Sequence, residues 1–65
     1  MEQILTQDRV RLEENLPELG LIRGAVGTVV STWFYPNTAY EVEFELDQQT
    51  AALRVLLLSD QLVGA

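Results

Sequence analysis

The chain has 65 residues, which fits a single domain over 1–65, and its 4 arginines against 10 acidic residues give a formal net charge of −6. It contains no lysine, histidine or cysteine, so disulfides and the usual nitrogen or sulfur metal ligands are excluded. Because affinity for phosphates needs clustered basic side chains, we expect no binding to nucleic acid or to an anionic membrane. No apolar run reaches the roughly 20 residues of a membrane span and the start does not resemble a secretory signal, so we expect a cytoplasmic protein.

The first predicted strand lies at residues 8–12, where arginines alternate with apolar residues. This period of two predicts that Val10 and Leu12 face the core while the arginines face water. The preceding residues 1–6 are expected to fray, as chain ends commonly do.

A long stretch at residues 13–27 follows, and it contains Gly20, Gly24 and Gly27. The stretch is too apolar for a free loop, so we interpret it as an ordered loop that folds over one end of the core. Glycine amides of this kind can approach a phosphate, but Arg23 is the only basic residue close to them in the sequence. We therefore interpret the glycines as a corner of the fold, with Gly27 allowing the chain to enter the second strand.

The second predicted strand covers residues 27–34 and is rich in β-branched and aromatic residues. Large apolar side chains occupy both alternating sets, so either a bulge changes the side that faces the core or both faces of the strand are covered. We expect one ring of the pair Trp33 and Phe34 to pack in the core and the other to cover an edge or meet a partner. Residues 35–38 are expected to form a turn.

Residues 39–46 carry the clearest strand pattern, because apolar and acidic residues alternate without a break. The inward set is Tyr40, Val42, Phe44 and Leu46, and the outward set is Glu41, Glu43 and Glu45. After a turn at 47–50, residues 51–58 form a fourth predicted strand. Its inward set is Leu53, Val55 and Leu57.

Residues 59–62 predict a single 3₁₀ turn, which Ser59 or Asp60 caps and from which Leu62 enters the core. Residues 63–65 are expected to pair with the first strand. Together the elements predict an all-β fold, a small SH3-like antiparallel barrel of about five strands with a long ordered early loop and a late 3₁₀ turn. An OB-like barrel is the alternative, disfavoured because the chain is short and has no clear helix between strands.

Residues spread along most of the chain resemble the pattern of a known family. They are Asp8, Val10, Leu12, Asn15, Leu16, Pro17, Glu18, Gly20, Leu21, Gly24, Val26, Gly27, Thr28, Val29, Val30, Tyr40, Glu41, Val42, Glu43, Phe44, Thr50, Ala52, Leu53, Gln61 and Leu62. The family consists of small bacterial proteins described only as a domain of unknown function. The resemblance implies an SH3-like barrel and no catalytic residues. It also implies an antitoxin-like or partner-binding role, because such genes occur beside genes for small toxin-like proteins.

The row of Glu41, Glu43 and Glu45 allows three interpretations. It is a solvated face that Arg54 balances from the neighbouring strand, an acidic stripe that binds a basic protein, or a set of ligands for a hard cation such as Ca²⁺. A flat strand offers no loop to wrap an ion, so we predict no metal site.

Two apolar features point to further contacts. Leu56 and Leu58 lie opposite the inward set of the fourth strand, and they form either an exposed protein-binding patch or a surface that the long loop covers. An acidic early loop beside an aromatic residue such as Trp33 is also found in SH3 domains that bind proline-rich peptides. That ligand is disfavoured here, because the tyrosine-rich strand and the late proline–tyrosine pair of those domains are missing.

We therefore predict a non-enzymatic protein–protein interaction module with an acidic surface, with neither a cofactor nor a small-molecule substrate. The usual bases and nucleophiles are absent, and we expect no room for a deep pocket of ~300 Å³ or more. The expected partner is a basic protein or a second copy of the chain. An antitoxin-like protein and a structural accessory subunit are the alternative functions. The candidate binding residues are Glu41, Glu43, Glu45, Trp33, Leu56 and Leu58.

Overall fold

A computed structural model describes residues 4–34, 37–45 and 52–65, and it shows an all-β chain. The five strands are β1 (Arg9–Leu12), β2 (Val26–Trp33), β3 (Ala39–Phe44), β4 (Leu53–Leu58) and β5 (Leu62–Gly64). Two 3₁₀ turns, Pro17–Leu19 and Ser59–Gln61, complete the described elements. The all-β class and the late 3₁₀ turn are therefore confirmed.

All five strands are antiparallel and belong to one sheet in the order β4-β3-β2-β1-β5. The first four strands follow one another as neighbours from β1 to β4, and β5 returns to pair with β1 on its free side. The predicted pairing of the last strand with the first is therefore confirmed. Within the described residues, β4 and β5 are the two edges of the sheet and form no ladder with each other.

The period of two in β1 and β3 determines which side chains enter the core. Val10 and Leu12 of β1 are fully buried, while both arginines of that strand are exposed. Along β3 the buried residues are Tyr40, Val42 and Phe44, as predicted. The core also contains Leu21, Val29, Leu57 and Leu62. The predicted inward residue Leu46 and the turn at 47–50 lie outside the described residues.

A bulge in β2 explains why its sequence shows apolar residues in both alternating sets. Val29 pairs with Val42, and Ser31 pairs with the next residue of β3, Glu41, so that Val30 is the extra residue on β2. An extra residue reverses the side to which the following side chains point. Of the two alternatives that the sequence leaves open, the bulge is the one found.

Gly27, the second residue of β2, lies against the backbone and two core side chains of β3. A Cβ atom at this position would lie 2.7 Å from Cγ1 of Val42, 2.8 Å from the carbonyl oxygen of Glu43 and 2.9 Å from Cδ1 of Phe44. The glycine is therefore needed because a side chain has no room here, and its backbone is not in the left-handed region.

The long loop between β1 and β2 is ordered, as the sequence predicts. Pro17 opens its 3₁₀ turn, and Gly20 closes the turn in the left-handed region at φ 74°. Leu16 and Leu21 flank the turn and form an isolated bridge, which brings Leu21 into the core at 3% exposure.

The described residues before β1 are tied to the sheet. Ile4 packs against the core, and the backbone N–H of Gln7 donates to the carbonyl of Val29 at 2.7 Å. Asp8 accepts a hydrogen bond from the N–H of Leu5 through Oδ2 at 2.8 Å. Residues 4–8 thus form a turn that leads directly into β1.

The cap predicted for the late 3₁₀ turn is wrong. Neither Ser59 nor Asp60 caps it; Oε1 of Gln61 accepts a hydrogen bond from the N–H of Leu58 at 2.8 Å instead. The longer side chain of Gln61 reaches back over the whole turn. The other prediction for this segment is confirmed, because Leu62 is buried at 7% exposure.

Candidate protein-binding surface

Strand register places five of the six candidate residues on one surface. The side chains of directly paired residues point to the same side of a sheet. Residues that are paired across β2, β3 and β4 therefore form a row on one face. The three rows are Trp33–Ala39–Leu58, Ser31–Glu41–Leu56 and Thr28–Glu43–Arg54. These rows lie opposite the buried Tyr40, Val42 and Phe44, and we call this surface the outer face. The sixth residue, Glu45, follows β3 directly and is exposed.

One end of the outer face is apolar. Trp33, Leu56 and Leu58 are exposed at 55%, 62% and 49%, and Ala39 lies between Trp33 and Leu58 in their row. We call these four residues the apolar patch. Of the two alternatives for Leu56 and Leu58, the exposed patch is therefore found, and the long loop does not cover it.

The prediction that Trp33 or Phe34 packs in the core is wrong, because both rings are exposed. The bulge at Val30 is the physical reason for Trp33. Without it, Trp33 would alternate onto the same side as the buried Val29; the extra residue turns the indole to the outer face. Phe34 follows the end of β2 and is 71% exposed.

The other end of the outer face is polar and its charges are mixed. Arg54 Nε lies 3.5 Å from Glu43 Oε2, and the hydroxyl of Ser31 donates to Glu41 Oε1 at 2.8 Å. Arg9 of β1 pairs with Thr28 and therefore extends the row of Glu43. Two arginines thus lie in the row of Glu43, one toward each end, and this geometry favours a solvated, charge-balanced face over an acidic stripe. The pairing with Arg54 is the one predicted from the sequence.

Acidic residues instead border the apolar patch at Leu58. Gln61, which accepts from the N–H of Leu58, donates through Nε2 to Oε2 of Glu14 at 2.7 Å. The backbone N–H of Glu13 donates to the carbonyl of Gln61 at 2.8 Å. A cleft of about 330 Å³ beside Leu58 is lined by Asn37, Thr38, Ser59 and Asp60.

Sequence reasoning missed this acidic border and Ala39. Gln61 and Glu14 are 47 residues apart, and no periodic pattern links them. Ala39 joins the patch only through the register of β3 against β2 and β4. The single useful signal was composition, since Glu13 and Glu14 begin the acidic early loop.

The sequence predicts no deep pocket of ~300 Å³ or more, and the clefts of that size which the structure contains are open to solvent. A surface cleft of about 480 Å³ lies between residues 4–10 and the last two residues, Gly64 and Ala65. Its charged side chains are Asp8 and Arg9, and the Asp8 carboxylate already accepts a hydrogen bond from Leu5.

In the part of the chain that the structure describes, no group of three or more acidic side chains is arranged to hold a metal ion. The same residues include no helix with the length and apolar content needed to cross a bilayer.

These features define a small all-β domain, a five-stranded antiparallel sheet whose outer face carries an apolar patch. The chain belongs to the family described as Domain of unknown function (DUF4926), whose model matches residues 6–63. No curated protein matches the chain, and no solved structure matches it. The resemblance to an uncharacterised domain family is therefore confirmed, and the family description assigns no activity.

Proposed function

We propose that the chain is a non-enzymatic protein-binding module and that a basic protein covers its apolar patch. The observation that carries the proposal is the exposure of Trp33, Leu56 and Leu58 in adjacent rows of one sheet face. The strands fix the backbone at these positions, so binding orders only the side chains. Tryptophan is among the residues that most often dominate the binding energy of an interface.

Charge defines the chemistry of the partner. The chain carries a net charge of −6, and Glu41, Glu14 and Asp60 lie around the apolar patch. A partner with an apolar centre and a rim of Lys or Arg is complementary to this arrangement, and the cleft beside Asp60 accommodates one basic side chain. Complementary charge of this kind mainly accelerates association and selects the partner.

Three observations support a role without catalysis. The chain has no lysine, histidine or cysteine. The hydroxyl of Ser31 contacts a carboxylate, Glu41, but both lie on the open outer face, where water competes with any reacting group. The cleft beside Asp8 and Arg9 offers one carboxylate that is already bound to a backbone N–H. A binding role requires none of these groups to react.

The test compares a patch variant with a matched control in affinity capture from cell extract. Trp33→Ser combined with Leu58→Ser removes two of the three large side chains of the patch, whereas Ile22→Ser removes a side chain that is 70% exposed on the long loop. We expect a basic protein to bind the wild type and the Ile22 variant, and to be lost with the patch variant. Titration of the purified partner should then shift Trp33 emission to the blue, and Trp33→Ala alone should cost about 2 kcal/mol of binding.

Equal capture by all three proteins would show that binding, where it occurs, does not use the apolar patch. A captured partner that is acidic would contradict the charge argument even if the patch variant loses it.

A further inference from the structure

The edge of β4 that faces away from β3 is a second candidate binding site, and the argument for it does not depend on the basic partner. Within residues 4–34, 37–45 and 52–65, β4 pairs with β3 along one edge and with no strand along the other. An open strand edge is a template for another strand, because its backbone groups lack partners in the sheet. We infer that a second copy of this chain occupies the edge, with β4 against β4, antiparallel, around a two-fold axis at Leu56.

The hydrogen bond of Leu58 shows which backbone groups face the open edge. Its N–H donates to Gln61 Oε1 and therefore points away from β3. In a strand, the N–H and C=O of one residue point to the same side, and successive residues alternate. The N–H and C=O of Leu56 and Arg54 therefore also face the open edge.

An axis at Leu56 uses these groups. The two copies of Leu56 exchange N–H···O=C bonds with each other. Arg54 of one copy and Leu58 of the other form the next hydrogen-bonded pair, in which the N–H of Leu58 exchanges its bond to Gln61 for one to the carbonyl of Arg54. The added ladder ends at this pair, because β4 ends at Leu58 and the 3₁₀ turn follows.

Charge complementarity favours this axis over its neighbour. An axis at Arg54 would place two guanidinium groups against each other. With the axis at Leu56, Arg54 of each copy lies opposite Leu58 of the other, and Leu58 lines the cleft that contains Asp60 and borders Glu14. The basic residue of the edge thus meets the acidic end of the edge in the second copy.

The pairing also extends the apolar patch. The two Leu56 side chains lie side by side on the continuous outer face and connect the patches of both copies. Because each copy carries a net charge of −6, repulsion opposes the dimer and salt should strengthen it. Salt should weaken the binding of a basic partner, because it screens the attraction between opposite charges. The salt dependence therefore distinguishes this dimer from the complex of the proposed function.

Cysteine cross-linking tests the axis directly, since the chain has no cysteine of its own. Directly paired Cα atoms in such a sheet lie about 5.5 Å apart, within the range of a disulfide. We expect Leu56→Cys to form a covalent dimer under mild oxidation and Leu58→Cys to remain a monomer, although both positions are exposed on the same strand face. Equal cross-linking of the two variants would overturn the axis.

Sedimentation of the unmodified chain provides the second measurement. We expect the apparent mass to rise from monomer toward twice that value with concentration, and further on adding salt. Leu56→Lys should remain a monomer, whereas Ile22→Lys should behave as the wild type. A strict monomer up to millimolar concentration in both salts would overturn the dimer, and capture of a basic partner would leave the proposed function intact.

Discussion

Gln61 connects the late turn, the end of β4 and the long loop through three hydrogen bonds. Its Oε1 accepts from Leu58 at the end of β4, its Nε2 donates to Glu14, and its carbonyl accepts from Glu13 in the long loop. These bonds fix the acidic loop beside the apolar patch. One glutamine thereby covers the last N–H of β4 in the monomer and positions the loop charges beside it.

Gln61→Ala should lower the free energy of unfolding by about 0.5–1.5 kcal/mol, because the N–H of Leu58 loses its acceptor and Glu14 loses its donor. Urea unfolding followed by Trp33 emission measures the change. Ser59→Ala is the matched control and should change stability by a few tenths of a kcal/mol at most, since Ser59 does not cap the turn. The reverse order of the two effects would show that the cap lies at Ser59 after all.

At the scale of elements, β3 is the strand around which the core and the outer face are organised. It pairs along both edges, with β2 and β4, and its residues alternate between full burial and the outer face. The same six residues therefore contribute to stability on one side and to the candidate site on the other. The bulge in β2 is the second decisive element, because it turns Trp33 outward.

Adjacent residues of β3 should respond very differently to truncation. Phe44→Ala removes a side chain that is 1% exposed and should cost about 3–5 kcal/mol, which is enough to unfold a domain of this size. Glu43→Ala breaks a partly solvated ion pair with Arg54 and should cost less than about 1 kcal/mol. Circular dichroism with thermal unfolding distinguishes the two. A large loss for Glu43→Ala that persists in high salt would mean that the outer face is more buried than the structure shows.

For the whole molecule, the distribution of charge differs from the one that the sequence suggests. On the outer face two arginines lie in the row of Glu43, whereas Glu13, Glu14, Glu18 and Asp60 lie in the loop and the late turn. The loop and the late turn therefore form an acidic end of the molecule, of which Glu14 and Asp60 border the apolar patch.

Added salt should stabilise the monomer, because it screens the repulsion within this acidic end. At low micromolar protein, we expect the unfolding midpoint to rise between low and high NaCl. The rise should be largest for the wild type, smaller for Glu13→Gln and smallest for Glu13→Arg. Between one protein and the next, the salt-induced gain in the free energy of unfolding should differ by a few tenths of a kcal/mol. A salt response that is the same in all three proteins would locate the repulsion elsewhere.

Features that depend on neighbouring residues along the chain could be predicted before the structure was seen. The alternation in 8–12 and 39–46 predicts the strands and their buried sides, and the apolar content of 13–27 predicts an ordered loop. Such patterns suffice because burial of one strand face is a local consequence of the period of two.

The arrangement of distant segments against one another could not be predicted in this way. The bulge at Val30 depends on the register of β2 against β3, and it reversed the expectation for Trp33. The row of Trp33, Ala39 and Leu58 and the contact of Gln61 with Glu14 depend on pairing between residues far apart in sequence. No local pattern records these distances, because they result from the packing of the whole sheet, and the apolar patch exists only once that sheet has formed.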